Sequence, residues 1–193
     1  MNAITQMITQ QLAGGAVRSI SQRLGISESA ANTAVQIAVP LILTALARNA
    51  SNKQGAEDLH NAINNDHDGS IFDNLSSYLG NPETGNGAGI LGHVFGSQEP
   101  AIANNLAQAS GLDQSSANGV LETVAPLVMG ALGQAQQQQA LDPSGLSNLL
   151  ESQQQQAQET APGVIGMLGS MLDQNKDGSA MDDLQRMAAG FFK

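Results

Sequence analysis

The chain has 193 residues, of which only 12% are charged and 3% aromatic, and its 7 Lys and Arg against 17 Asp and Glu leave a formal net charge of −10. That balance argues against nucleic acid, whose binding rests on Lys and Arg neutralising phosphates, and against an anionic membrane surface. With no Cys there is no disulfide, thiolate zinc site or cysteine nucleophile, and with so few aromatics the core must be built from Ala, Leu, Ile, Val and Met.

In chain order, Met1 to Ser19 carries no charge before Arg18 and no continuous apolar run. A secretory signal needs a basic start and an apolar core, so a cytoplasmic location is expected. Helices are predicted over 3–12 and 15–23. Gly25-Ile26-Ser27 then reads as helix stop, hydrophobic staple and N-cap. In the helix predicted over 27–47, Val35, Val39, Ile42 and Leu46 form a stripe spaced 4, 3, 4, while Ile37, Leu41 and Leu43 fall on other faces, as in a central helix. Its apolar stretch, Ala34 to Ala47, is 14 residues, too short to span a bilayer, and Pro40 is expected to kink it. Further helices are predicted over 55–63 and 70–79, and "NPETGNGAG" at Asn81–Gly89 reads as a loop. A helix over 99–109 is followed by Gly111-Leu112-Asp113, the same stop, staple and cap, and by a second Pro-containing helix over 113–133. The Gln-rich stretches at 134–139 and 153–158 read as a tolerated surface insertion, so shortening 135–140 should change stability by less than about 1 kcal/mol. Helices over 144–157, 161–172 and 180–191 complete the reading.

Two blocks recur. Residues 22–46 and 108–132 align at an offset of 86 with nine identities, including Gly25/Gly111, Asn32/Asn118 and Pro40/Pro126. Residues 59–75 and 168–184 align at an offset of 109, with Asp68, Gly69, Ser70 and Asp73 recurring as Asp177, Gly178, Ser179 and Asp182. The Gln-rich insertion at 134–158 accounts for the 23-residue growth in offset. No segment alternates with period two. The expected architecture is therefore an all-α, compact multi-helix bundle built from two related helical repeats with Pro-kinked central helices. The first repeat spans 1–80, a connecting loop 81–92 and the second repeat 93–193; the two pack as separate units or as one globule.

Seven of the 17 acidic residues fall in two short stretches. Asp173, Asn175 and Asp177 stand at positions 1, 3 and 5 of an EF-hand-type loop, with Gly178 at position 6. The pattern then fails: position 12 is Leu184, and Asp182 and Asp183 fall at positions 10 and 11. The weaker counterpart is Asn64, Asp66 and Asp68, followed by Gly69 and Asp73. The cation of choice is Ca²⁺, ahead of Mg²⁺. The competing reading is a plain helix-to-helix turn in which Gly supplies positive φ and Ser or Asp caps the next helix.

His60, His67 and His93 are the only histidines, and His93 reads as a packed residue rather than a base. No G-x-S-x-G, P-loop or H-E-x-x-H pattern occurs, and "GNGAGILG" at 85–92 follows no strand, so it is not a dinucleotide loop.

The run "ILGHVFGSQEPAIANNLAQASGLDQSSANGVLETVAPLVMGALG" at 90–133, followed by "LGSMLDQNKDGSAMDDL" at 168–184, resembles the bacterial domain-of-unknown-function family 937, the YidB-like proteins. The resemblance implies a bacterial all-α protein and brings no catalytic residue with it. The functional expectation is a non-enzymatic interaction or structural module with a protein partner and a weak divalent-cation loop. The rivals are a metal-dependent enzyme, which needs a deep polar pocket, and an apolar-ligand binder, which needs a large dry cavity.

If the loop at 173–183 holds calcium, titrating Ca²⁺ into the protein raises its thermal midpoint, and Asp177→Ala removes that rise while leaving the metal-free protein unchanged or slightly more stable. A flat calorimetric trace for the unmodified chain identifies the loop as a turn.

Overall fold

A computed structural model describes Ile8 and residues 15–160. The expected helices over 161–172 and 180–191, the acidic loop with Asp173, Asn175, Asp177, Asp182 and Asp183, and all of the helix over 3–12 but the helical, fully buried Ile8 lie outside the described residues.

The first junction follows from three residues. Helix α1 (Ala16–Leu24) stops at Gly25, whose φ of 66° is left-handed. The N–H groups of Gly25 and Ile26 both donate to the Ser21 carbonyl, and the Ser27 hydroxyl accepts from Ala30 N–H at 3.1 Å to open α2 (Glu28–Asn49). The same chemistry recurs 86 residues on. Helix α6 (Glu99–Ser110) stops at Gly111 with φ 71°, Gly111 and Leu112 donate to the Ala107 carbonyl, and Asp113 accepts from Ser116 N–H at 3.0 Å to open α7 (Gln114–Gln139).

Between these units run α3 (Lys53–Asp66), a 3₁₀ turn at Ser70–Phe72, α4 (Leu75–Gly80), a 3₁₀ turn at Pro82–Gly85 and α5 (Gly87–Phe95); α8 (Pro143–Thr160) follows α7. There is no strand among the described residues, and the chain is all-α. Helices α2 and α7 pack on each other at the centre, with α8 and α1 against α2, and α5 and α6 against α7. The expected stripes are buried in both: Val35, Val39, Ile42 and Leu46 in α2, and Leu121, Ala125, Val128 and Leu132 in α7. One hydrophobic cluster runs from Ile8 through both helices to Leu150. Helix α2, at 22 residues, is long and apolar enough to cross a membrane, but 72% of its apolar window is buried against the rest of the fold.

Three expectations are corrected. Asn81–Gly89 is not a loop: Pro82 opens a 3₁₀ turn and α5 begins at Gly87. Its glycines answer a close approach rather than a flexible link, since a Cβ at Gly87 would lie 1.9 Å from the Glu122 carbonyl oxygen of α7. The helix expected over 70–79 is interrupted, because Gly69 at φ 94° starts a short 3₁₀ turn and α4 forms only from Leu75.

The Gln-rich segment lies only partly at the surface: Gln137, Gln138, Gln139, Gln155 and Gln156 are exposed, but other positions are built into the core. Helix α7 continues through the first Gln tract, with Ala135 and Gln136 buried, and ends at Ala140. In α8 the buried Leu146, Leu150, Gln153 and Ala157 are spaced 4, 3, 4, a core-facing stripe that a Gln-rich composition conceals. The Gln136 amide donates to Asn64 Oδ1 at 2.8 Å and that of Gln137 to the Asp68 carbonyl at 3.0 Å, so these side chains tie α7 to the end of α3. Deleting 135–140 is therefore expected to lower the unfolding free energy by more than about 3 kcal/mol, through lost core contacts and stranded polar partners. Urea denaturation of the shortened chain checks this.

Candidate functional site

A cleft of about 560 Å³ opens between α3 and α5. That lies within the range of small-ligand sites. Its floor is apolar, built from Leu46 of α2, Leu59 of α3, Ile90 of α5 and Met129 of α7. Its rim is polar and carries Asp58, Asp66, His67 and His93. Both sides are fixed by the backbone. Asn52 caps α3 by accepting from Gly55 N–H at 2.9 Å. At the other end the Asn49 amide, where α2 finishes, donates to the Val94 carbonyl at 3.2 Å and holds the end of α5.

His67 terminates α3, its N–H donating to the Ile63 carbonyl at 3.0 Å. Burial holds its imidazole below the usual histidine range, against the opposing pull of Asp66 and Asp68. The Ser70 hydroxyl and, at 2.9 Å, the Ser70 N–H both bond the Asp68 carboxylate and lower its pKa, just ahead of the following 3₁₀ turn. His93 stands in the last turn of α5, exposed on the opposite side of the cleft.

The first acidic stretch is distributed, not gathered. Helix α3 runs through Asn64 and Asp66, which the sequence reading placed in a loop. Asn64 accepts from Gln136, and its own amide donates to His60 Nδ1 at 3.2 Å. That leaves the proton of His60 on Nε2, which donates to the Leu141 carbonyl at 3.2 Å. Asp66 faces the cleft, Asp68 accepts from Ser70 N–H at the start of a turn, and Asp73 closes that turn through its N–H to the Ser70 carbonyl. Among the described residues no three His, Asp or Glu side chains are grouped so as to hold a metal ion.

Asp58 was not singled out by sequence, and His67 was noted only as one of three histidines. Asp58, Ala62 and Asp66 do share one α3 face at i, i+4, i+8, but such a face reads as plain solvent exposure until α5 is set opposite it.

The family described as bacterial protein of unknown function (DUF937) matches residues 6–135. The chain belongs to this family. No curated protein and no solved structure matches the chain significantly.

The His67 shift has a sign. Its folded pKa lies below the unfolded value of about 6.5, so the unfolded chain binds more protons as the pH falls. The contribution of His67 to stability is complete above about pH 7 and is lost as the pH drops through the depressed folded value. His67→Gln should flatten the stability profile between about pH 5 and 7, as read from urea midpoints across that range; an unchanged slope would assign the pH dependence to other groups.

Proposed function

We propose that this bacterial DUF937 chain is a cytoplasmic, non-enzymatic interaction module whose cleft between α3 and α5 receives a basic amphipathic segment of a partner protein. The observation that carries the reading is the pairing of an apolar floor (Leu46, Leu59, Ile90 and Met129) with carboxylates at the rim (Asp58 and Asp66) and, among the described residues, no Lys or Arg in the lining. An amphipathic helix seats alternate apolar side chains in such a groove while its flanking cations meet the rim. The net charge of −10 steers a basic partner toward it and repels nucleic acid and anionic lipid. A weak calcium loop at 173–183 belongs to the same proposal, as a separate element with its own titration. The rival is a small apolar ligand on the same floor, which would be indifferent to the sign of the rim.

The test uses a synthetic amphipathic Leu–Lys helical peptide and its Leu–Glu counterpart, titrated by fluorescence anisotropy into the full chain. The Leu–Lys peptide should bind, weaken as salt rises, and lose at least about tenfold in affinity in the exposed double variant Asp58→Lys, Asp66→Lys. Equal binding of both peptides, or no effect of reversing the rim charges, would overturn the basic-partner reading.

A further inference from the structure

The described residues include four cationic side chains beyond the histidines, and three are engaged. Arg18 pairs with Glu28 at 2.9 Å, Lys53 with Glu57 at 3.8 Å, and Arg23 donates to the Thr123 hydroxyl. Arg48 is half-buried and finds no hydrogen-bond or ion-pair partner among the described residues. Burial without a carboxylate holds its pKa below the usual arginine value. Leaving a partly desolvated guanidinium unpaired in a chain of net charge −10 is costly, and acidic side chains are plentiful.

The ordinary explanation is a cation that satisfies the carbonyls at the end of α2. Three carbonyls at that end already have donors. Leu46 O accepts from Ala50 N–H at 2.9 Å, Arg48 O from Ser51 N–H at 3.2 Å, and Ala50 O from the Ser147 hydroxyl at 2.8 Å. The helix dipole favours the charge but uses none of its five N–H donors. At the offset of 86 the position of Arg48 falls on Gln134 of α7.

Arg48 lines a second cavity, of about 620 Å³, on the far side of His93 from the cleft. Its walls come from the ends of α2 and α5 and one face of α8. They set Arg48 in the same cavity as Glu151, over an apolar surface of Ala47, Val94 and Phe95. Among the described residues no ion pair within 4.0 Å joins Arg48 to Glu151, so neither charge is neutralised by the other. A simple anion would meet Glu151, and a simple cation would meet Arg48. A guest carrying both charges meets each with its opposite.

We propose that this cavity binds a small zwitterion of the α-amino-acid class, its carboxylate on the Arg48 guanidinium, its ammonium toward Glu151, and its side chain over Ala47, Val94 and Phe95. Arg supplies the planar, bidentate geometry a carboxylate fits. The proposal goes beyond the cleft reading and stands apart from it, since Arg48 and Glu151 line the second cavity and not the first.

The probes are L-leucine, isovalerate, which keeps the carboxylate and the branched body, and isoamylamine, which keeps the ammonium. Each is titrated calorimetrically into the full chain. Leucine should saturate, with isovalerate and isoamylamine each at least about tenfold weaker, the loss expected for one charge-assisted contact. Arg48→Gln, which installs the residue found at the offset position, should weaken leucine by at least about tenfold with an unchanged or higher thermal midpoint. Glu151→Gln, at an exposed position, should weaken leucine and strengthen isovalerate, so the proposal stays testable even if the Arg48 variant fails to fold. Absence of leucine saturation by about 50 mM, or isovalerate binding as tightly as leucine, would overturn the assignment.

Discussion

The burial of α7 along most of its length is the constraint on which the rest of the fold depends. A helix that is wrapped on all sides cannot leave backbone groups to water, yet this one contains Pro126. Proline has no N–H to give to the Glu122 carbonyl four residues earlier. The neighbouring Thr123 carbonyl receives the Tyr78 hydroxyl at 2.7 Å, a bond made by a side chain 45 residues away in sequence. The same turn is held on its other side by Arg23, which donates to the Thr123 hydroxyl, itself bonded to the Gly119 carbonyl at 2.6 Å. The segment from His67 to Gly87 therefore acts as a strap. Its close passage needs small residues on both partners: a Cβ at Gly133 of α7 would sit 2.0 Å from the His67 carbonyl, the counterpart of the Gly87 contact at the other end.

Much of this was legible in the sequence because it is local chemistry. A glycine in left-handed geometry, a staple and a side-chain cap need only five or six consecutive residues, and both junctions at 25–27 and 111–113 formed as read. The central stripes were equally plain, since their period is set by the helix itself. What composition misread was the meaning of glycine and glutamine. Gly87 and Gly89 look like loop residues, but the requirement at Gly87 comes from a helix 35 residues downstream and is invisible to any local window. Glutamine in α7 and α8 looks like solvated filler. Its long methylene stem can be buried when the terminal amide reaches a partner, as Gln136 does at Asn64.

The site was less legible than the fold, for a related reason. Acidic residues close together in sequence suggested a shared ligand, but α3 continues to Asp66 and turns Asn64, Asp66 and Asp68 to different tasks. The cleft and the second cavity are built instead from side chains on three or four helices each, and His93 and Asn49 belong to the wall between them. No spacing rule brings Asp58 opposite His93 or Arg48 near Glu151. Only the placing of α3 opposite α5 and the packing of α8 on α2 do so.

The strap carries the chain's single tyrosine, and there is no tryptophan. The phenol is buried and bonded beside the proline turn, and burial raises its pKa well above the ordinary value even though Arg23 opposes the shift. Tyrosine absorbance and tyrosine emission thus originate at one contact, the docking of the strap on α7. The protein carries a built-in optical gauge: in alkaline solution burial holds back the phenolate band of Tyr78 while that contact is closed, so the band follows the docking of the strap.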